Sequence, residues 1–252
     1  MTPATDETCD DFLGGRVRLL QPANGYRAGV DPVLLAAAVD ASSGQSVLEL
    51  GCGAGAASLC LHARVSGLSF VGVEVQAEYA SLARRNAQAN GATMQVVEAD
   101  LRHLPADIKA QRFDHVIANP PYFKREKSTA AQDAGRDVAL GGDTPLEAWV
   151  DVAARRLAPK GYLTMIQKAD RLPDLICAIS GRLGSMRVLP VQSRIGRPAG
   201  LVILQARKAG RADFVLHAPL VMHEGARHER DADSYTSQIS AILRKAAAVA
   251  WK

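Results

Sequence analysis

The stretch from Ser46 to Ala118 carries the tightest constraint on the fold, because short apolar runs ended by glycine or an acid alternate there with helical patterns. SVLEL runs into Gly51 and is followed by AASLCLHAR; SFVGVEV is followed by AEYASLARRNAQAN, closed by Gly91. Short apolar runs suit strands buried on both faces, and the longer patterns with the 3.6-residue period suit helices that cover them. MQVVEAD and FDHVIA supply two more strands, and YLTMIQ, a helix around LPDLICAISGRL, MRVLPV and LVILQAR continue the series. The alternation implies an α/β fold with a doubly wound, mainly parallel, seven-stranded sheet and helices on both faces. Asp31-Pro32 opens an earlier helix, since Asp caps exposed N–H groups and Pro fits the first helical position. Thr144-Pro145-Leu146-Glu147 reads as a capping box for a helix running to about Leu157. Ile239, Ile242, Leu243, Ala246 and Val249 recur at helical spacing and predict a C-terminal amphipathic helix.

The 252 residues, 48% hydrophobic and 22% charged, are those of an ordinary globular protein and exclude collagen-like and fully disordered readings. One domain over residues 11–252 is expected, after a disordered segment at 1–10. The longest apolar stretch, Val33 to Val39, is broken by Asp40 and falls short of the roughly 18 residues that span a bilayer. The opening MTPATDETCDD is acidic, unlike a secretory leader, so a cytoplasmic chain without membrane contact is expected. Cys9, Cys52, Cys60 and Cys177 lie far apart, which predicts reduced thiols, and the six histidines show no metal-ligand spacing, so no metal is expected. The net charge of +4 mildly favours a polyanionic partner. Lys124 to Asp143 has no clear period and predicts a long loop of the kind that serves as a lid or binding loop.

Glu49-Leu50-Gly51-Cys52-Gly53-Ala54-Gly55 sits where the first of these strands meets its helix. Glycines there let the backbone turn sharply and approach a ligand closely. Gly51, Gly53 and Ala56 also satisfy the nicotinamide fingerprint, with Glu74 at about the distance for gripping a ribose, so the loop signals a nucleoside-containing cofactor. Two details favour S-adenosylmethionine. Glu49 suits a cationic amino-acid moiety and would repel a pyrophosphate, and the third strand ends in Glu98-Ala99-Asp100. In a methyltransferase arrangement Glu74 accepts both ribose hydroxyls and Asp100 faces the adenine amino group. Each such charge-assisted bond contributes roughly 1.5–3 kcal/mol.

The fourth strand leads into Asn119-Pro120-Pro121-Tyr122-Phe123. This segment resembles the N-P-P-Y group of S-adenosylmethionine-dependent amino-methyltransferases, which modify planar nitrogens: the adenine amino group of DNA or RNA, or the side-chain amide of glutamine. Such a nitrogen is a poor nucleophile because its lone pair is delocalised. The Asn119 side-chain oxygen and the Pro120 carbonyl can accept its two hydrogens, direct the lone pair at the methyl group and stabilise the developing positive charge. The prolines hold that carbonyl by fixing φ, and Tyr122 can stack on the substrate ring, worth roughly 1–3 kcal/mol. An unpaired adenine is the cheaper target, since a duplex base must first be flipped out.

Gly15-Arg16, Gln21-Pro22, Gly25-Tyr26-Arg27, Asp31 with Leu34-Leu35-Ala36-Ala37, Trp149, Arg197-Pro198-Ala199, Leu220 to Glu224 and Tyr235-Thr236 extend the likeness. With the N-P-P-Y motif they are similar to the bacterial tRNA (adenine-N6)-methyltransferase family, which modifies the adenine beside the anticodon of a valine tRNA. The insertion GARHERDAD, between Glu224 and Tyr235-Thr236, departs from that family's pattern. The resemblance implies a Rossmann-like class I methyltransferase fold, tRNA as partner and S-adenosylmethionine as cofactor. It implies Asn119, Pro120, Pro121 and Tyr122 as catalytic residues. It also implies a cofactor site of Tyr26, Arg27, Asp31, Glu49, Gly51, Gly53, Gly55, Glu74, Val75, Asp100, Leu101 and Asn119. Substrate contacts are expected at Phe123, Lys124, Arg125, Lys127 and Arg197, with Arg16, Arg18, Arg27 and Arg194 as further candidates for phosphate. The alternatives are a glutamine methyltransferase acting on a translation factor, whose relatives carry a helical domain ahead of the catalytic one, and an RNA-binding module that has lost catalysis.

Overall fold

The computed structural model describes residues 6–122, 144–225 and 234–251. The chain opens with a hairpin, β1 (Glu7–Phe12) against β2 (Val17–Pro22), in antiparallel register from Glu7 opposite Pro22 to Phe12 opposite Val17. The expected disorder over residues 1–10 is thereby corrected from Glu7 onward. The acidic composition of β1 misleads because its charges are paired: Glu7 binds Arg85 through both oxygens (2.6 and 2.9 Å) and Asp10 binds Arg27 at 2.7 Å.

Then follow α1 (Asp31–Ala38), β3 (Ser46–Leu50), α2 (Ala56–Arg64), β4 (Ser69–Glu74), α3 (Ala77–Ala89), β5 (Met94–Glu98), α4 (Ala106–Ala110) and β6 (Phe113–Ala118). The remainder is α5 (Leu146–Arg156), β7 (Leu157–Lys168), α6 (Leu172–Ile179), β8 (Gly184–Arg194), β9 (Ala199–Arg207), β10 (Val215–Leu216), β11 (Leu220–His223) and α7 (Ser237–Lys245). The main sheet runs β10-β8-β9-β7-β6-β3-β4-β5, with β11 also beside β8, and every pairing is parallel except the two made by β9. Among the described residues it therefore holds nine strands where seven are expected. The extra two are short edge pieces on β8, too brief to show a period.

The strands are apolar without alternation because both sheet faces are covered. Val47, Ile117, Ile166 and Ile203 face α1, α2 and α7, whereas Leu48, Val116, Leu163 and Leu204 face α5 and α6. Each buried side chain of this size contributes about 1.5–3 kcal/mol. The capping box does not form: α5 starts at Leu146 after Pro145, with no side-chain cap. The last helix stops at Lys245, where Ala246 turns left-handed at φ 56°, so Val249 is not helical and donates its N–H to the Ala37 carbonyl at 2.8 Å. No described helix is long and apolar enough to cross a membrane.

Topology places the site. The chain steps outward from β3 to β4 and β5, then returns to add β6 on the other flank of β3. The order reverses there, and open parallel sheets bind ligands at such a switch, beyond the carboxyl ends of the strands. The register sets Leu50 opposite both Val73 and Ala118, so Gly51, Glu74 and Asn119 emerge on one level.

Candidate active site

Beyond β3 the backbone coils through Gly51, Gly53 and Gly55 at φ 63°, 52° and 90°, which side chains other than glycine rarely adopt. At Gly51 space as well as φ excludes a side chain, because an added Cβ would lie 2.7 Å from the ring of Trp149 in α5. Gly53 is different: an added Cβ would meet no atom within 4 Å, so this face of the loop is open. Its N–H donates to Glu74 Oε2 at 2.9 Å, and Gln76 N–H donates to Oε1 at 2.9 Å. A carboxylate offers about four acceptor positions, so each Glu74 oxygen keeps capacity for a ribose hydroxyl. Burial raises the Glu74 carboxyl above its ordinary value, and the N–H donors of Gln76, Gly53 and Val75 oppose that shift. Beside it Val75 holds an apolar side chain 57% exposed, suited to the face of a purine. This open loop, part-satisfied carboxylate and exposed valine fit the nucleoside of S-adenosylmethionine.

Glu49 lies beneath the loop, only 3% exposed. Ser58, in α2, donates to Glu49 Oε2 from its N–H (3.1 Å) and its hydroxyl (2.5 Å). Burial nevertheless pushes the Glu49 carboxyl up to about 8, with the Glu74 charge adding to the rise. A buried acid in this condition favours a cationic neighbour. Asp100 behaves oppositely. Arg102 donates to both its oxygens, from Nε at 3.1 and 3.0 Å and from Nη2 at 2.6 Å, and holds its carboxyl below the usual range. Leu101 is 8% exposed and packs in the core under α5 and α6, which leaves its main chain as the part available to a ligand.

Asn119 leaves β6 next to this loop, its Nδ2 3.5 Å from the Tyr26 phenol oxygen. Tyr79 donates to the Tyr26 carbonyl at 2.9 Å and so ties the segment before α1 to α3. Burial pushes the Tyr26 phenol up to about 12, reinforced by the charges of Asp31 and Glu49. The Tyr122 phenol donates to Asp31 Oδ2 at 2.5 Å, and burial, with the Asp31 charge behind it, raises its pKa strongly. The Lys168 ammonium lies 6.0 Å from the Tyr122 ring centre. Gln167, fully buried at the end of β7, points Nε2 at the Pro120 and Pro121 carbonyls (3.4 and 3.5 Å) while its Oε1 accepts Lys168 N–H at 2.8 Å.

Two expected roles change. Arg27, expected at the cofactor, directs its guanidinium to Thr8 Oγ1 (2.7 Å), the Pro22 carbonyl (2.9 Å) and Asp10 Oδ2 (2.7 Å). It is a clamp on the β1–β2 hairpin, since all three partners belong to those strands. Asp31 does not cap α1, which has no side-chain cap. Arg197 is exposed in the β8–β9 turn, closed by its N–H to the Arg194 carbonyl at 3.2 Å, at the same end of the sheet as Asn119. Phe123, Lys124, Arg125 and Lys127, with the rest of the segment to Asp143 expected as a loop, lie outside the described residues. Sequence reasoning missed Ser58, Gln167 and Asn86. Asn86 left a signal, a polar residue four positions after buried Leu82 on the apolar face of α3.

The chain is similar to several known proteins. The family model described as methyltransferase small domain matches residues 28–189. A tRNA1(Val) (adenine(37)-N6)-methyltransferase of Porphyromonas gingivalis is 33% identical over 196 residues, covering 72% of this chain and 76% of that protein. A solved structure described as a predicted O-methyltransferase from Agrobacterium tumefaciens superposes with a TM-score of 0.71 at 27% identity, covering 87% of this chain and 98% of that one. A 16S rRNA N2 methyltransferase of Thermus thermophilus, solved with AdoMet and guanosine, matches with a TM-score of 0.56 at 24% identity over 80% of this chain and 50% of that one, a likeness of fold.

Proposed function

The chain belongs to the methyltransferase small domain family, and from that premise we propose that it methylates the exocyclic amino nitrogen of an unpaired adenine in tRNA, at the position 37 named for its relatives. One observation carries the reading: Asn119-Pro120-Pro121-Tyr122 and the glycine loop leave adjacent strands at the same level, so the amino-group acceptors stand beside the cofactor cradle.

S-adenosylmethionine supplies an electrophilic methyl group on a sulfonium. Glu74 and Asp100 would take its ribose and adenine, and Glu49 its amino-acid end. Asn119 Oδ1 and the Pro120 carbonyl accept the two hydrogens of the target amino group and draw its lone pair out of conjugation. Both acceptors also stabilise the positive charge that develops on nitrogen, where fixed dipoles do most for the rate. Gln167 Nε2, 3.4 Å from the Pro120 carbonyl, helps to hold it. Tyr122 supports the face of the base. No general base is required of this chain, since an exocyclic nitrogen made cationic by alkylation is acidic enough to give its proton to water, and what these residues supply is chiefly positioning.

The nucleic acid is taken to enter past Lys168 and Arg197 at this end of the sheet, with Phe123, Lys124, Arg125 and Lys127 following directly on Tyr122. The same reading carries a cytoplasmic location with it. The test uses valine tRNA transcripts that carry adenine or guanine at position 37. Methyl transfer to the adenine form alone supports the reading, and equal transfer to both overturns the position.

A further inference from the structure

We infer that Asp31 is the positioning residue for Tyr122, anchoring the phenol so that the ring presents a fixed face to the substrate base. The inference rests on the reading of Tyr122 as the residue under that base. Three observations support it. Asp31 lies in the first turn of α1 yet caps nothing in its own helix. Its Oδ2 instead accepts the Tyr122 phenol, 91 residues away, at 2.5 Å, within the short range of charge-assisted O–H···O⁻ bonds. The same carboxylate stands close enough to raise the phenol of Tyr26, which touches Asn119.

The consequence is geometric. Pro120 and Pro121 fix φ ahead of Tyr122, and the bond to α1 fixes the far end of its side chain. With both ends held, the ring cannot swing as the base arrives, which preserves the near-attack geometry on which a positioning mechanism depends. An Asp31 that instead held the cationic end of the cofactor would act through its charge. An Asp31 that anchors the phenol acts as a hydrogen-bond acceptor, a duty that a neutral amide oxygen can share.

Variants separate the two. Asp31→Ala removes acceptor and charge, Asp31→Asn keeps an acceptor, and Tyr122→Phe keeps the ring and removes the donor. We expect Asp31→Ala and Tyr122→Phe each to lower kcat/KM for tRNA about tenfold and the double variant to fall no further, because one bond is lost in all three. Asp31→Asn should recover most of the activity, and the S-adenosylmethionine Kd should stay within about twofold throughout. Additive losses, or an Asp31→Asn that loses cofactor affinity as far as Asp31→Ala does, would overturn the inference. If Asp31→Ala does not fold, Asp31→Asn in the wild-type and Tyr122→Phe backgrounds supplies the same cycle, and an Asp31→Asn loss that persists in full beside Tyr122→Phe overturns the inference equally. Should the wild type methylate no adenine, the function reading fails while an ultraviolet titration of the phenols still tests the anchor. Asp31→Ala should bring two phenols, those of Tyr122 and Tyr26, into titration at lower pH, and only the Tyr26 part of that change should remain in the Tyr122→Phe background; a change equal in both backgrounds contradicts it.

Discussion

Glu49 and Glu74 end neighbouring strands of the same sheet, and their surroundings give them different work. Glu49 is sealed under the loop, its carboxyl raised to about 8. Its folded value lies above the ordinary carboxylate value of 4.5, so its contribution to stability is fully present below about 4.5 and is lost as pH rises toward 8. A cationic ligand end favours the ionised form, so cofactor affinity should climb with pH through about 8, with a proton released on binding, and Glu49→Gln should flatten that climb. Titration calorimetry in buffers of different ionisation enthalpy measures both effects, and a pH-independent wild type contradicts the assignment. Glu74→Ala should weaken cofactor binding by about 3 kcal/mol, the loss of two charged acceptor bonds, and an unchanged Kd would sink its ribose role. Asn119→Ala should cost about 10²–10³ in kcat while the Kd stays within a small factor. Loss of both together would make Asn119 structural. The acids were legible because each ends a strand of recognisable pattern. Arg27 was not, since a sequence displays a charge without its partner, and the partner here lies on a hairpin that left no pattern.

That hairpin shows what joins elements whose sequences look weak. Asn86 on α3 and Asn90 at its C-terminal cap, one turn apart, stand in for a neighbouring strand. Asn86 accepts Leu20 N–H at 2.8 Å and donates to the carbonyls of Leu20 and Ala54, both at 2.9 Å. Asn90 accepts Arg18 N–H at 3.0 Å and donates to the Arg18 carbonyl at 2.8 Å. Ala54 belongs to the glycine loop, so one buried amide fastens β2, α3 and the loop together. Asn86→Ala strands buried main-chain groups and should cost about 2–3 kcal/mol. For a chain of this size that is a fall in Tm of roughly 5–10 °C, with weaker cofactor binding. A change below about 2 °C by thermal unfolding would show that water replaces the amide without loss. The strands from β3 to β9 and most of the helices between them could be read in advance because continuous apolar runs and 3.6-residue periods survive burial on both faces. β1, β10 and β11 could not, since their pairing comes from partners distant in sequence. The capping box failed for a related reason: Thr144 and Glu147 match a local pattern, and the chain enters α5 through Pro145 without using it.

For the molecule as a whole, both faces of one sheet are buried, and the candidate site residues gather at a single end of it. Asn119, Glu74, Lys168 and the β8–β9 turn share that end, and a net charge of +4 favours a polyanion approaching it. Reversing charge at Lys124, Arg125 and Lys127 together should raise KM for tRNA and flatten its salt dependence, since each lost phosphate contact reduces the slope by about one. A KM unmoved at low salt would place the RNA elsewhere. The central claim is adenine chemistry on RNA at the Asn119 corner, and it is tested most directly by offering labelled S-adenosylmethionine with unmodified bulk tRNA and, separately, with a protein extract, then digesting the products to nucleosides and amino acids. The account predicts label in N6-methyladenosine from the tRNA, absent with Asn119→Ala. Label in methylglutamine, with none in the tRNA, would contradict it and move the same active-site chemistry onto a protein substrate.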